Sequence, residues 1–225
     1  MPGRVYTAQE RGFETVGHVG VAVTTVEEGQ QHVGLLHRDE SNQEVAMLHL
    51  AFHCRLRNDQ PEPTYAWVDP AVHSARARQV AAVCRKVWRS NGEQIPFAFS
   101  APSDCFDGET GAFLLGPTRI GLTCASFVLA IFHAAGLPLV DYGTWPAAGE
   151  RDVAWQLHAI SMLREHGASE EHVRAVEAEV GAVRYRPEQV AGGAACDALP
   201  ASFDDAERLA GEVMQVLSTN GLRTG

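Results

Sequence analysis

The strongest constraint in this chain is a short apolar helix that begins at Cys124. A helix this apolar must be buried, so the other elements have to enclose it. Its boundaries are legible. Thr123 serves as N-cap, because its hydroxyl accepts from a backbone N–H left unpaired in the first turn. Phe127, Val128, Ile131 and Ala134 follow at helical spacing. Gly136 tolerates the left-handed dihedrals of a helix end, and Pro138 cannot continue a helix. Cys124 therefore falls in the first turn, where the positive end of the helix dipole lowers a thiol pKa. The competing reading is a small buried cysteine that packs like alanine.

A chain of 225 residues suffices for one ordinary domain with a helical appendage. We expect a core over residues 1–145 and a helical extension or lid over 146–225 packed on it. The net charge of −10 and the lack of any basic run beyond Arg85-Lys86 with Arg89 argue against nucleic acid and against an anionic membrane surface as partners. The five cysteines, Cys54, Cys84, Cys105, Cys124 and Cys196, are odd in number and form no CxxC pair. Neither a zinc site nor a disulfide framework is expected, and no cofactor is implied. Met1 to Glu10 has no apolar core of the signal-peptide kind, and no stretch is long enough to span a bilayer, so a cytoplasmic location is expected. Oligomeric state stays open.

The first third reads as an antiparallel meander. Val16–Val23 and His32–Arg38 are strands, with a turn over 27–30 between them. A second turn at 39–43 leads into a longer strand over Val45–Leu56, and 57–66 is a loop. Tyr65–Val68 is a short strand. Asp69-Pro70 then opens a helix that runs to about Ser90, with Val72, Val80, Val83, Cys84 and Val87 on its apolar face. Ile95–Phe99 reads as extended. A long loop over 100–120 feeds into the Cys124 helix, and loops of that length are usually functional or disordered. Beyond Pro138 we expect helices over 151–166, from 169 to near 181 and over 202–218, with a Gly/Ala-rich link at 191–197. The fold class is α+β, an antiparallel sheet packed against helices.

A nucleophilic cysteine needs a base and a group to orient it, and histidine titrates nearest neutrality. If the second and third strands form a hairpin turning at 40–43, Asp39 faces Glu44, Gly34 faces His49 and His32 faces Ala51. Alternation then puts His32 and His49 on one face as diagonal neighbours, about 7–8 Å apart. Gly34 leaves room there for a substrate or for the helix. His37 points to the other face. His53 lies about 13 Å from His49 along the strand, so the two make no metal pair. His32 and His49 are thus candidate base and orienter, against the plain reading of two hydrogen-bonded sheet histidines.

These residues occur in a recognisable order. His32-Val33-Gly34-Leu35-Leu36, then Leu48-His49-Leu50-Ala51, then Thr123-Cys124-Ala125-Ser126-Phe127-Val128 resembles the papain-like superfamily in its circularly permuted form. That group includes lecithin:retinol acyltransferase-like proteins and permuted relatives of NlpC-type peptidases. The resemblance covers roughly residues 15–137. It implies Cys124 as nucleophile, His32 as base and His49 as the third, orienting residue. The gap between the histidines is longer than is common in the acyltransferase branch. That branch also usually has Asn-Cys-Glu where this chain has Thr-Cys-Ala, and no membrane anchor follows. These departures weaken a lipid acyltransferase more than a cysteine hydrolase. His18 is the reserve base and Cys105 the rival nucleophile.

The expected function is hydrolysis of an amide, peptide or isopeptide bond through a thioacyl intermediate, with the Cys124 backbone N–H stabilising the oxyanion. Transfer of the acyl group to another acceptor and a catalytically silent binding domain are the alternatives. The expected partner is a peptide, protein or other amide-containing substrate. The loop 100–120, with Asp104, Cys105 and Asp107, is expected to border the cleft.

Overall fold

The computed structural model describes residues 4–27, 29–39, 42–116 and 120–224. Glu28, Glu40 and Ser41 of the two expected turns, residues 117–119 of the long loop, and both chain ends lie outside the described residues. Six strands form one antiparallel sheet: β1 (Val5–Thr7), β2 (Val19–Glu27), β3 (Gln30–Arg38), β4 (Val45–Leu50), β5 (Leu56–Asp59) and β6 (Ala66–Val68), in the order β1-β6-β2-β3-β4-β5. Six α-helices accompany it: α1 (Ser74–Asn91), α2 (Cys124–Ala134), α3 (Glu150–Glu165), α4 (Glu170–Glu177), α5 (Pro187–Ala194) and α6 (Phe203–Thr219). The expected α+β class is what the chain adopts.

Strand alternation divides the sheet into two faces. Val21, Val23, Val33, Leu35, Leu48 and Leu50 join α1, α2, α5 and α6 in the main core. Ala22, Leu36, Met47 and Trp67 point the other way and are covered by Val16, Tyr6 and Phe13. Helix α2 lies in the middle of the main core, and every residue from Ala125 to Phe132 is buried. Thr123 caps it as expected. Ser126 completes a capping box, with the Thr123 N–H donating to Ser126 Oγ at 2.8 Å.

The β3–β4 register is the expected one: Leu35 faces Leu48, His37 faces Ala46, and the Asp39 N–H donates to the Glu44 carbonyl. The expected long strand over Val45–Leu56 is instead β4, a tight turn and β5. The Ala51 N–H closes the turn on the Arg55 carbonyl, and Cys54 has a left-handed φ of 50°. The expected loop at 57–66 thus begins with strand residues. Strand β2 runs past its expected end at Val23 to Glu27, and β1 has no counterpart in the sequence reading.

Helix α1 starts at Ser74 rather than after Asp69, with His73 as its cap. The Asp69 carboxylate is taken by Arg11, 3.3 Å away, so it does not cap a helix. The Gly/Ala-rich segment expected as a link is mostly helix α5. Its small residues have a packing reason: a Cβ on Gly192 would collide with backbone atoms of Ala206, Leu209 and Ala210 in α6. Helices α5 and α6 therefore share the main core with the sheet, α5 lies against β2 and β3, and α3 and α4 pack in a second cluster with Phe97 and Phe99.

Gly192 yields a prediction whose sign separates packing from propensity. Alanine normally stabilises a helix over glycine by about 0.5–1 kcal/mol. Gly192→Ala should instead destabilise by about 1–3 kcal/mol, the cost of overpacking. Urea unfolding followed by circular dichroism reads the difference, and a more stable variant would contradict the close α5–α6 approach.

Candidate active site

Two buried histidines lie at the centre of the site. His32 on β3 and His49 on β4 are 8% and 9% exposed. Their rings touch: His32 Nε2 lies 2.8 Å from His49 Nδ1, and the ring planes are inclined at 73°. The residue between them across the strands explains the closeness. A Cβ on Gly34 would lie 2.8 Å from His49 Cβ and 3.2 Å from Met47 Cγ. The missing side chain makes room for His49, not for helix α2 as the sequence suggested.

A third member is supplied by β5. His49 Nε2 lies 3.6 Å from Asp59 Oδ2. The turn at 51–55 brings Asp59 opposite Met47, diagonal to His49. Sequence reasoning missed Asp59, because it treated Leu56 as the end of a strand. No glycine or proline at 51–55 marks the turn that brings Asp59 there. The carboxylate accepts, so it favours the His49 proton on Nε2. His49 Nδ1 then accepts from His32 Nε2–H, and His32 Nδ1 keeps its lone pair.

Burial controls the protonation of these rings. Desolvation, and secondarily the His49 ring, pull the His32 pKa down to about 3. Desolvation also lowers His49, with Asp59 opposing it. Both are neutral at neutral pH.

Cys124 reaches the same cleft from the opposite sheet face. The β3–β4 ladder stops at Leu35 and Leu48, and just beyond it the Val33 N–H faces the Cys124 sulfur. Cys124 is half-buried. Burial pushes its thiol up to about 11, while the N–H groups of Val33, Ala125 and Cys124, together with Arg184, pull in the other direction. The expected thiol-lowering effect of the helix start exists, but desolvation outweighs it. Val33 points toward α2, so alternation sends His32 to the other face. His32 and Gly34 therefore lie on the face away from α2, although the sequence reading allowed the helix to approach at Gly34. Thiol and imidazole border one cleft around the edge of β3, and no hydrogen bond joins them among the described residues.

That cleft has a volume of about 250 Å³. Its floor is His32, Thr123, Cys124 and Ala125. Leu50, Phe52 and Arg55 of the β4–β5 turn form one wall. Trp155, His158 and Met162 of α3, with Arg184 and Tyr185, form the other. Helix α3 and the segment before α5 thus contribute to the cleft lining. The described part of the 100–120 loop does not line it; that loop packs on α1, where Asn91 bonds Gly111 and Phe113. Cys105 is 2% exposed and its thiol donates to the Ala101 carbonyl at 3.2 Å, so it is not a rival in this cleft. His18 stands at the opposite end of the hairpin from Thr24, the partner of His32. Six residues of strand put it about 20 Å away, which removes it as reserve base. His37 bonds Asn58 Oδ1 at 2.7 Å on the other face. His53 sits in the turn, stacked on His172. Among the described residues no cluster of three or more His, Cys, Asp or Glu could hold a metal ion, and no helix is long and apolar enough to cross a membrane.

Comparison of the chain with family models, with curated proteins and with solved structures gave no match.

The histidine burial has a consequence for stability. An unfolded chain protonates histidine near 6.5, whereas folded His32 resists protonation to about 3 and His37 and His49 are lowered as well. The unfolded state thus binds more protons below pH 6.5. The stabilisation from neutral burial is complete above that pH and is lost as pH falls from 6.5 toward 3. Denaturant midpoints should drop across this window, and the drop should be shallower in His32→Asn. An identical pH slope in the variant would count against a buried neutral His32.

Proposed function

We propose that the protein is a thiol-dependent hydrolase of amide, peptide or isopeptide bonds, built on a circularly permuted papain-like core and working in the cytoplasm. The observation that carries this reading is the His32–His49–Asp59 relay, which shares one cleft with a cysteine at a helix start. A structural pair of histidines needs no carboxylate behind it and no thiol in front. The order of these residues along the chain is also the order of the superfamily that the sequence resembles.

The chemistry follows from the protonation states. At rest the thiol and His32 are both neutral. As the Cys124 sulfur attacks a carbonyl carbon, its proton passes to the lone pair of His32 Nδ1. His32 becomes cationic and its Nε2–H bond to His49 strengthens, because one partner is now charged. Asp59 holds the His49 proton on Nε2 and so keeps Nδ1 an acceptor. The first-turn N–H of Cys124 stabilises the oxyanion. Collapse expels the amine, which takes the proton from His32. Water, deprotonated by the same ring, then releases the acid and restores the thiol. Thiolate and imidazolium attract one another, so the pair charges together more readily than either group alone.

Activity-based labelling with an electrophilic amide mimic tests this directly. Mass spectrometry should find Cys124 modified in preference to Cys54, Cys84, Cys105 and Cys196. Cys124→Ser should abolish turnover of a responsive amide, and His32→Ala should lower kcat/KM by about 10²–10⁴-fold. Asp59→Asn should cost less and shift the pH profile. Labelling at exposed Cys54 with none at Cys124 would leave a binding domain as the better description. Free acid as the product would mark water as the acceptor.

A further inference from the structure

The cleft wall opposite the relay carries a cation that the proposed hydrolysis does not use. Arg184 lines the cleft next to Tyr185, and its side chain is only 14% exposed. Its guanidinium carbon lies 3.9 Å from the ring centre of Trp155, stacked on the face. One donor, Nη1, reaches Asp152 Oδ1 at 3.3 Å. Nη2 makes no bond among the described residues, whereas Nε is buried with no hydrogen bond and is not open to the cleft.

The local charges do not cancel. Asp152 serves two arginines, since Arg186 Nη2 lies 2.9 Å from the same oxygen. Glu188 is the other nearby acid. Burial pushes its carboxyl toward the neutral form, and its Oε2 has no hydrogen-bond partner. Among the described residues the cleft lining carries Arg55 and Arg184 against Glu27, in a chain whose net charge is −10. A buried cation of this kind is costly without an anion. The unbonded Nη2 of a guanidinium is a charge-assisted donor suited to a carboxylate oxygen. Arg184 is also near enough to Cys124 to favour its thiolate.

We infer that the cleft selects substrates whose acyl part carries a carboxylate, which Nη2 of Arg184 binds beside Cys124. The rest of the acyl part lies on Trp155, Phe52 and Met162. Asp152 and Trp155 are positioning residues that hold the guanidinium plane. This inference rests on the thiol reading of the site, since it places the anion next to the reacting sulfur.

Two small alkylating reagents that differ in charge provide the test. Iodoacetate and iodoacetamide both form a sulfur–carbon bond and expel iodide, but only the first carries a carboxylate. Labelling at Cys124 is read by mass spectrometry relative to exposed Cys54 in the same molecule. The Cys124/Cys54 ratio should be higher for iodoacetate than for iodoacetamide. That excess should fall about ten-fold in Arg184→Gln, the loss of one charge-assisted hydrogen bond, and persist in part in Arg184→Lys and fully in Arg186→Gln. Equal ratios for the two reagents in the wild-type protein, or an excess unchanged in Arg184→Gln, would overturn the anion site while leaving the thiol reading intact. No labelling of Cys124 by either reagent would overturn both. Circular dichroism monitors folding of each variant; should Arg184→Gln fail to fold, the wild-type ratio and Arg184→Lys decide.

Discussion

The site is organised around a missing side chain at residue 34. Two strands at normal spacing cannot bring diagonal imidazoles to 2.8 Å if the residue directly opposite one of them has a Cβ in the way. Gly34 removes that atom and His49 leans across the space. The lean aims Nδ1 at His32 and leaves Nε2 for Asp59 on the next strand. One glycine thus turns three separate strands into a connected line of polar groups. The same approach buries both rings and sets their protonation, so geometry and electrostatics share one cause.

Helix α2 poses the complementary problem. Its N-terminus offers unpaired N–H groups and a positive dipole end to Cys124, while its position in the core takes the thiol out of water. The outcome is a thiol pushed up to about 11 despite the donors around it. A helix start lowers a thiol only when solvent or a charged partner keeps the thiolate inexpensive. Here the helix is buried because its residues are apolar on every side, so the feature that made the cysteine conspicuous also raises its pKa.

Much of this was legible in the chain. The α2 cap and stop, the β3–β4 register and the pairing of His32 with His49 follow from local rules: a hydroxyl before an apolar run, a glycine after it, and a period of two. What was hidden depends on tertiary competition. Asp69 looks like a helix cap until Arg11, which follows the neighbouring strand β1, claims it. The 191–197 segment looks like a linker until α6 packs against its glycines. Residues 51–55 carry no glycine or proline, so the turn that delivers Asp59 had no sequence signal. Alternation correctly separated His32 from His37, but it also put His32 on the face away from α2. Only the early end of the β3–β4 ladder lets the sulfur approach the strand at its edge.

The two ends of the relay have opposite surroundings, and the difference bears on how charge moves. His32 is buried, and a cation formed there has little solvent to support it. Asp59 is 58% exposed in its side chain, so the far end of the line is wet and negative. In the proposed hydrolysis, the cation formed at His32 would be held through the neutral His49 ring by a carboxylate that water already stabilises. Burying all three groups would raise the cost of the imidazolium, and exposing all three would loosen the ring positions. A dry base with a wet anchor satisfies both demands, because the carboxylate needs no buried partner and the base needs no solvent to stay neutral at rest.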